Sequence, residues 1–188
     1  MDHAFIPKDP TLFLKPETAL LKDNKPFFLP DFSDRIEYET ELVVRISRLG
    51  KNISEKFAHR YYDSLTVGID MTARDLQNRL REAGEPWEIS KGFDNSAVVG
   101  EFIPMNEIES IGNVPFRLDI NGTTVQQTNS AEMIHSVDQI IAYASKFFTL
   151  KMGDLIFTGT PSGVGRVNIN DHLQGFVGEK NLLDFYIK

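Results

Sequence analysis

The stretch Phe116-Arg-Leu-Asp-Ile-Asn-Gly-Thr-Thr-Val-Gln-Gln127 contains the clearest folding signal in the chain. At its centre, Asn121-Gly122 offers the two residues that most readily adopt the positive φ angles of a two-residue hairpin turn. Residues with strand propensity flank this pair on both sides, so the sequence predicts a β-hairpin over 116–127. Further short strands are predicted at 155–157 and 182–186. Many short strands with few helices indicate a β-rich α+β fold built on antiparallel pairing.

Two helices are predicted where apolar residues recur at helical spacing. The first follows Thr72 as a candidate N-cap, places Leu76 and Leu80 on one face, and stops at Gly84. The second follows Ser130. Its apolar positions are Met133, Ile134, Val137, Ile140, Ile141, Ala144 and Phe148.

Length and composition suit a single domain over residues 1–188. The chain is 41% hydrophobic and has no break in composition, which is enough for one substantial core. It contains no cysteine, which excludes disulfides, thiolate catalysis and zinc–thiolate sites and suits a reducing, cytoplasmic location. The net charge of −7 and the scattered Lys and Arg residues argue against a nucleic-acid partner. No apolar stretch approaches the ~20 residues that span a bilayer, so we expect no membrane partner.

The segment Arg35-Ile-Glu-Tyr-Glu-Thr-Glu-Leu-Val-Val44 alternates like a strand and has a glutamate at every second position. Successive strand side chains point to opposite faces, so Glu37, Glu39 and Glu41 are expected on one face. Neighbouring carboxylates repel one another unless they face water or share a cation, and Mg²⁺, Mn²⁺ and Ca²⁺ prefer such hard oxygen ligands. Two interpretations stay open at this point: a solvated outer strand face, or a metal site.

A fourth acidic residue, Asp70, ends an apolar run just before the first predicted helix, where a further ligand is commonly placed. Four motifs then occur along the chain in a characteristic order and spacing. They are Glu39-Thr-Glu-Leu42, Asp70-Met-Thr-Ala-Arg-Asp-Leu-Gln77, Ser90-Lys-Gly-Phe-Asp94 and Thr158-Gly-Thr-Pro-Ser-Gly-Val-Gly165. By these motifs the chain resembles the fumarylacetoacetate hydrolase family, from about residue 13 to the C-terminus. Within it, the chain is most similar to the acylpyruvate hydrolase and oxaloacetate decarboxylase branch. The resemblance implies a mixed β-sandwich roll, the fold of the family's C-terminal domain.

The resemblance also implies a metal site. Glu39, Glu41 and Asp70 match the family's ligands for Mg²⁺, with Mn²⁺ or Ca²⁺ as alternatives. Three carboxylates leave about three octahedral positions open for a 2-oxo acid and a water. Glu37 falls outside the family pattern, and we expect it to be an exposed partner on the same strand.

Four residues are candidates for contact with a substrate. By resemblance, Lys91 is the catalytic residue that stabilises the substrate or its enolate, and Arg74 and Gln77 face the substrate from the first turn of the helix. For Arg74, a structural salt bridge with the adjacent Asp75 is an alternative. Thr160 is expected to face the substrate carboxylate, while a tight turn after a strand is the alternative reading of its loop.

The function implied by the resemblance is a divalent-metal-dependent C–C bond hydrolase or decarboxylase. It would act on small 2-oxo acids, such as acylpyruvates or oxaloacetate, through a metal-stabilised pyruvate enolate. One alternative is an isomerase or hydrolase of longer dicarboxylic 2-oxo acids in aromatic catabolism. Another is a metal-binding family member without catalysis. By the same resemblance we expect a homodimer.

The opening of the chain departs from the family pattern. Family members have an Asn-Tyr-x-x-His-x-x-Glu segment whose His and Glu act on the attacking water. This sequence opens Met-Asp-His-Ala-Phe-Ile-Pro-Lys-Asp-Pro10, which matches the family beyond that segment, and His3 does not align with it. We therefore expect either a start that has been cut or mis-assigned, or a protein that lacks this general base.

Overall fold

The computed structural model describes residues 8–188, so His3 and the other residues of the opening segment 1–7 lie outside it. The strands are β1 (Leu20–Leu21), β2 (Ile36–Tyr38), β3 (Thr40–Ile46), β4 (Tyr62–Asp70), β5 (Thr72–Ala73), β6 (Ala97–Val99), β7 (Ile103–Pro104), β8 (Pro115–Ile120), β9 (Thr123–Asn129), β10 (Leu155–Phe157), β11 (Gly165–Arg166), β12 (His172–Val177) and β13 (Lys180–Tyr186). The α-helices are α1 (Glu55–Ala58), α2 (Arg74–Ala83), α3 (Glu88–Lys91) and α4 (Val137–Phe147). Short 3₁₀ helices cover Glu17–Ala19, Met105–Glu107 and Ser130–Glu132.

The strands form three sheets. A six-stranded sheet has the order β1-β6-β4-β3-β10, with β7 also paired to β4. A four-stranded sheet has the order β13-β12-β8-β9, and a three-stranded sheet has the order β11-β2-β5. Only the β1–β6 pair among these is parallel. The predicted β-rich α+β class is confirmed.

The six-stranded and four-stranded sheets share one hydrophobic core. Val67 on β4 and Leu183 on β13 are fully buried members of that core. Between them lies Gly175 on β12, where an added Cβ would stand 2.8 Å from Val67 Cγ1 and 3.1 Å from Leu183 Cβ. The four-stranded sheet therefore packs directly on β4 at this position.

The predicted hairpin is confirmed. Strands β8 and β9 pair antiparallel and are joined by Asn121 and Gly122, whose φ angles are 52° and 78°. Positive φ at both central residues matches the twist of the strands that the turn connects. The hairpin therefore forms where the local signal placed it.

The predicted helices exist, but their starts differ from the prediction. Helix α2 ends at Gly84, which has φ 68°, as expected. Thr72 is not its N-cap: the residue lies in β5, and its hydroxyl accepts a hydrogen bond from Lys91. Helix α4 begins after Ser136, whose hydroxyl accepts from Gln139 N while the Gln139 side chain accepts from Ser136 N. That reciprocal capping box stabilises the later start, and Ser130 begins only a 3₁₀ turn.

Within residues 8–188, no helix has the length and apolar character that crossing a bilayer requires.

Candidate metal and substrate site

Three carboxylates converge where the chain passes from one sheet to another. Glu39 lies between β2, in the three-stranded sheet, and β3, in the six-stranded sheet. Its carbonyl accepts a hydrogen bond of 2.8 Å from Asp70 N at the end of β4. One carboxylate oxygen from each of Glu39, Glu41 and Asp70 lies within 4.8 Å of the others. Glu41 and Asp70 are buried, and the Glu39 side chain is 12% exposed.

The carboxylate of Glu41 is the least favourable charge in this group. Burial, reinforced by the charges of Asp70 and Glu39, raises the pKa of Glu41 to about 8. Gly159 N donates a 2.6 Å hydrogen bond to Glu41 Oε2 and opposes that rise. Crowded buried carboxylates of this kind require a nearby cation or a proton.

Lys91 provides one such cation. Its Nζ, at the end of α3, lies 2.8 Å from Glu39 Oε2 and 2.7 Å from Asp70 Oδ2. It also donates to Thr72 Oγ1 at 2.6 Å. Only 3% of the Lys91 side chain is exposed, so this lysine belongs to the acidic cluster rather than to the surface.

Lys15 is a second cation in the cluster, and the sequence analysis missed it. Its Nζ lies 2.7 Å from Asp70 Oδ1 and donates to Ser96 Oγ at 2.9 Å and to the carbonyl of Lys91. Burial lowers the pKa of Lys15, although the charge of Asp70 opposes this. A lysine that follows the apolar run Leu12-Phe-Leu14 was the available signal, but nothing local shows which carboxylate it meets.

Both oxygens of Asp70 face ammonium groups. Lys15 Nζ lies 2.7 Å from Oδ1, and Lys91 Nζ lies 2.7 Å from Oδ2. Within residues 8–188, Oδ1 is buried and its contact with Lys15 is an ion pair rather than a well-aligned hydrogen bond. A cation that binds Asp70 must therefore compete with these lysines.

The expectation for Glu37 was wrong. Glu37 is 2% exposed, because β2 is the central strand of the three-stranded sheet and the chain leaves that sheet at Glu39. Arg35 Nε donates to Glu37 Oε1 at 2.6 Å, and Arg74 Nε donates to Oε2 at 2.7 Å. Two guanidinium groups thus compensate for the burial of this carboxylate.

Arg74 and Gln77 lie beside the acidic cluster, on the first turn of α2. The Arg74 guanidinium also donates to Glu39 and to Gln77 Oε1. A salt bridge between Arg74 and Asp75, the alternative considered from sequence, does not form. Asp75 instead accepts from Ser33 Oγ at 2.5 Å and from Asp34 N at 2.9 Å.

The loop that contains Thr160 borders the cluster on the Glu41 side. Thr158 Oγ1 donates to Leu42 O at 2.8 Å, and Gly159, at φ 98°, presents its N–H to Glu41. Thr160 Oγ1 accepts a 3.0 Å hydrogen bond from Gln126 Nε2. The loop that contains Thr160 is therefore a tight turn, and it also lies beside the acidic cluster.

The donor set fits a hard divalent cation. It offers three carboxylates whose oxygens lie within 4.8 Å of one another, and burial raises the pKa of one of them, Glu41. Oxygen ligands of this type suit Mg²⁺, Mn²⁺ or Ca²⁺.

The chain belongs to the fumarylacetoacetate (FAA) hydrolase C-terminal family, whose model matches residues 1–187.

Particular relatives share both sequence and fold. Oxaloacetate tautomerase YcgM of Escherichia coli (strain K12) is 41% identical over 169 residues, which cover 89% of this chain and 77% of that protein. The crystal structure of a fumarylacetoacetate hydrolase family protein from Yersinia pestis CO92 matches with a TM-score of 0.94 and 37% identity, over 98% of this chain and 85% of the other. Fumarylpyruvate hydrolase from Pseudomonas aeruginosa, solved in complex with Mn²⁺ and pyruvate, matches with a TM-score of 0.88 and 35% identity, over 93% and 77% of the two chains.

Proposed function

We propose that this protein is a divalent-metal-dependent enzyme of small 2-oxo acids, with oxaloacetate as the substrate that the site favours. The observation behind this proposal is the convergence of Glu39, Glu41 and Asp70 on one point, beside the buried Lys91 and the partly buried Lys15. The similarity to an oxaloacetate tautomerase supports the choice of substrate.

We assign Glu39, Glu41 and Asp70 as ligands of Mg²⁺ or Mn²⁺. An ion held there supplies a Lewis acid for the C2 oxygen of a 2-oxo acid. The similarity to a hydrolase solved with Mn²⁺ and pyruvate supports this assignment.

The charge of the site favours a dicarboxylate. The carboxylates are those of Glu37, Glu39, Glu41 and Asp70, and the basic groups are those of Lys15, Arg35, Arg74 and Lys91. These groups balance one another, so a bound divalent ion leaves a formal charge of about +2. The dianion of oxaloacetate matches that charge better than a monoanionic acylpyruvate does.

The simplest reaction for these groups is the transfer of one proton. The enol and keto forms of oxaloacetate differ by a proton that moves between the C2 oxygen and carbon C3. Lys91 and Lys15 are the amines that can hold the charge on the oxygen or exchange the proton. Arg74, Gln77 and Thr160 supply hydrogen-bond donors for the substrate carboxylates.

Decarboxylation and acylpyruvate hydrolysis form a second group of candidate reactions. Loss of CO₂ from C4, or cleavage of the bond beyond C3, leaves negative charge on the same carbon–oxygen unit, which the same groups can stabilise. The similarity to fumarylpyruvate hydrolase favours including hydrolysis in any assay.

The test is a set of three assays on metal-loaded protein. They measure loss of the enol absorbance of oxaloacetate, release of pyruvate from oxaloacetate, and cleavage of acetylpyruvate. We expect the first reaction to be fastest, EDTA to stop it, and Glu41→Gln or Asp70→Asn to slow it by at least about 10²-fold. The control is Glu179→Gln, because the Glu179 side chain is 96% exposed and lies on a turn outside the acidic cluster.

Two results would decide against the proposal. If the reaction continued in EDTA, or ran at equal rates in Glu41→Gln and Glu179→Gln, the carboxylates would have no part in it. Tight metal binding without turnover of any 2-oxo acid would instead support a non-catalytic family member.

We also propose a single domain, a homodimer and a cytoplasmic location. The family resemblance supports the dimer, and the absence of cysteine suits a reducing compartment. Light scattering on the purified chain distinguishes a dimer of about twice 21.3 kDa from a monomer.

A further inference from the structure

Gln126 is a buried amide that connects the four-stranded sheet to the candidate site. It lies on β9 and is 2% exposed. Its Oε1 accepts a 3.0 Å hydrogen bond from Thr40 N. Its Nε2 donates to Thr160 Oγ1 at 3.0 Å and to Pro161 O at 3.1 Å. The Gln126 side chain therefore forms hydrogen bonds with two separate segments of the site, one through its oxygen and the other through its nitrogen.

The chemistry of its partners determines which way this amide points. The N–H of Thr40 can only donate and the carbonyl of Pro161 can only accept, so the oxygen of Gln126 must face Thr40 and its nitrogen must face Pro161. The same nitrogen donates to Thr160 Oγ1. The hydroxyl of Thr160 is thereby an acceptor toward Gln126, and its own proton is available in another direction.

Two of the three hydrogen-bond partners of Gln126, Thr40 and Thr160, lie next to residues that contact or include the proposed metal ligands. Thr40 lies between Glu39 and Glu41, and Thr160 follows Gly159, whose N–H binds Glu41. The return of the loop also packs on Gln126. At Gly163, which has φ 102°, an added Cβ would stand 3.3 Å from Gln126 Cγ.

We propose that Gln126 is a positioning residue for this site. By donating to Thr160 it turns the Thr160 hydroxyl into a donor for a substrate carboxylate, and by accepting from Thr40 it holds the peptide between two ligands. This inference rests on the proposed function, since it takes Thr160 as a substrate contact.

The central test is Gln126→Glu. The variant keeps the shape of the side chain and an acceptor for Thr40 N, but it loses the hydrogen bond to Pro161 O. A carboxylate there also accepts from the Thr160 hydroxyl and turns its proton away from the substrate. We expect KM for oxaloacetate, and Kd for oxalate on the Mg²⁺-loaded protein, to rise about tenfold to a hundredfold. Neither kcat nor Kd for Mg²⁺ should change by more than about threefold. Gln127→Glu places the same charge on the exposed neighbouring residue of β9 and should leave all four constants unchanged.

A double-mutant cycle separates the direction of the hydroxyl from simple repulsion by the new charge. In a Thr160→Val background, Gln126→Glu should weaken oxalate binding no further, whereas repulsion alone would weaken it in both backgrounds. Thr160→Ser, which retains the hydroxyl, should bind oxalate like the wild type. An effect of Gln126→Glu that persists without the hydroxyl would overturn the proposal. So would a rise in KM accompanied by losses of more than about threefold in both kcat and metal affinity.

If a variant does not fold, a measurement on the wild-type protein still tests the proposal. The amide of Thr40 should be protected from hydrogen exchange at a level similar to the neighbouring β3 amides, because Gln126 accepts from it. Rapid exchange at Thr40 would contradict the proposal. Wild-type protein that binds oxalate but turns over no 2-oxo acid would overturn the proposed reaction, and the oxalate affinities would still decide the role of Gln126.

Discussion

Burial and acidic neighbours make the ionised form of Glu41 unfavourable, and the same surroundings favour a bound metal ion. A carboxylate whose pKa is raised to about 8 by burial and by acidic neighbours is mostly protonated at neutral pH. A metal ion must displace that proton. Whether Glu41 carries a proton therefore depends on whether a metal ion occupies the site.

Metal affinity should consequently depend on pH. With a folded pKa of about 8, Glu41 holds a proton at pH 6 and releases it when an ion binds, so the affinity for Mg²⁺ should rise by up to about tenfold per pH unit below pH 8. Calorimetry in buffers of different ionisation enthalpy measures the number of protons released. Binding without proton release at pH 6 to 7 would show that Glu41 is already ionised.

The same pKa predicts how the metal-free protein responds to pH. Because the folded pKa lies above the value of 4.5 for an unperturbed glutamate, unfolding releases a proton between these pH values, and stability falls as pH rises through this window. Glu41→Gln removes that cost and should raise the melting temperature of the metal-free protein at pH 8 by roughly 2–5 °C. Adding Mg²⁺ should then stabilise the wild type but not the variant.

Replacing Lys91 should lower the stability of the fold but raise its affinity for a metal ion. Lys91→Met leaves Glu39 and Asp70 without one of their cations, and breaking a buried ion pair in this way costs roughly 3–5 kcal/mol. Mg²⁺ then no longer competes with the ammonium group, so its affinity should increase while turnover is lost. Thermal melts with and without Mg²⁺ measure both effects.

The exposed pair of Lys180 with Glu107 provides the control, since Lys180→Met should change stability by less than about 1 kcal/mol. If Lys91→Met matched that control, the buried pairs would contribute nothing.

Residue identity in the candidate site could be inferred from sequence only where a motif contained it. Spacing alone pointed to Glu37, Glu39 and Glu41, whereas the set Glu39, Glu41 and Asp70 was expected from the family resemblance, and the structure places the oxygens of that set together. The burial of Glu37 and the position of Lys15 depend on pairings with residues far along the chain, Arg74 and Asp70 respectively. No local pattern contains such information.

At the scale of elements, local signals were reliable where a turn or cap has a strict chemical requirement. Asn121-Gly122 formed the predicted hairpin, and Gly84 ended α2. The start of α4 was misplaced because Ser130 and Ser136 both precede apolar residues. Only Ser136 has a glutamine three residues later, so the capping box that distinguishes the two serines is present in the local sequence.

Ser136 should therefore contribute measurably to stability. Ser136→Ala removes the hydroxyl that caps α4 and should cost about 1 kcal/mol, or roughly 2–4 °C in melting temperature. Ser54 is the matched control, because it precedes α1 but its side chain makes no capping hydrogen bond. Ser54→Ala should be nearly neutral in the same thermal melt, and equal losses in the two variants would rule out a specific capping effect.

For the molecule as a whole, the fold class followed from the density of strand signals, but the division into three sheets did not. The acidic segment reads as one strand, yet β2 joins the sheet of β5 and β11 while β3 joins that of β4 and β10. The choice depends on partners from distant parts of the chain. The mixed sandwich was expected only from the family resemblance.

The packing of the two larger sheets should be sensitive to a single methyl group. Gly175→Ala places a Cβ 2.8 Å from Val67 Cγ1, and overpacking of this kind costs roughly 1–3 kcal/mol. Gly112 is the control, since an added Cβ there would meet only Ser110 Oγ at 3.8 Å. Denaturant unfolding should show a lower midpoint for Gly175→Ala and an unchanged or higher one for Gly112→Ala. Equal midpoints would show that the sheets can separate slightly without cost.

The change of sheet at Glu39 also affects how the molecule resists unfolding. The contacts around it join residues 39–41 to residues 70, 91 and 159, so the site closes chain loops of about 30 to 120 residues. A ligand bound there acts as a non-covalent cross-link between these segments. It must leave before the segments can separate. The lifetime of the bound ligand would thus set a lower limit on how long the native chain survives a protease.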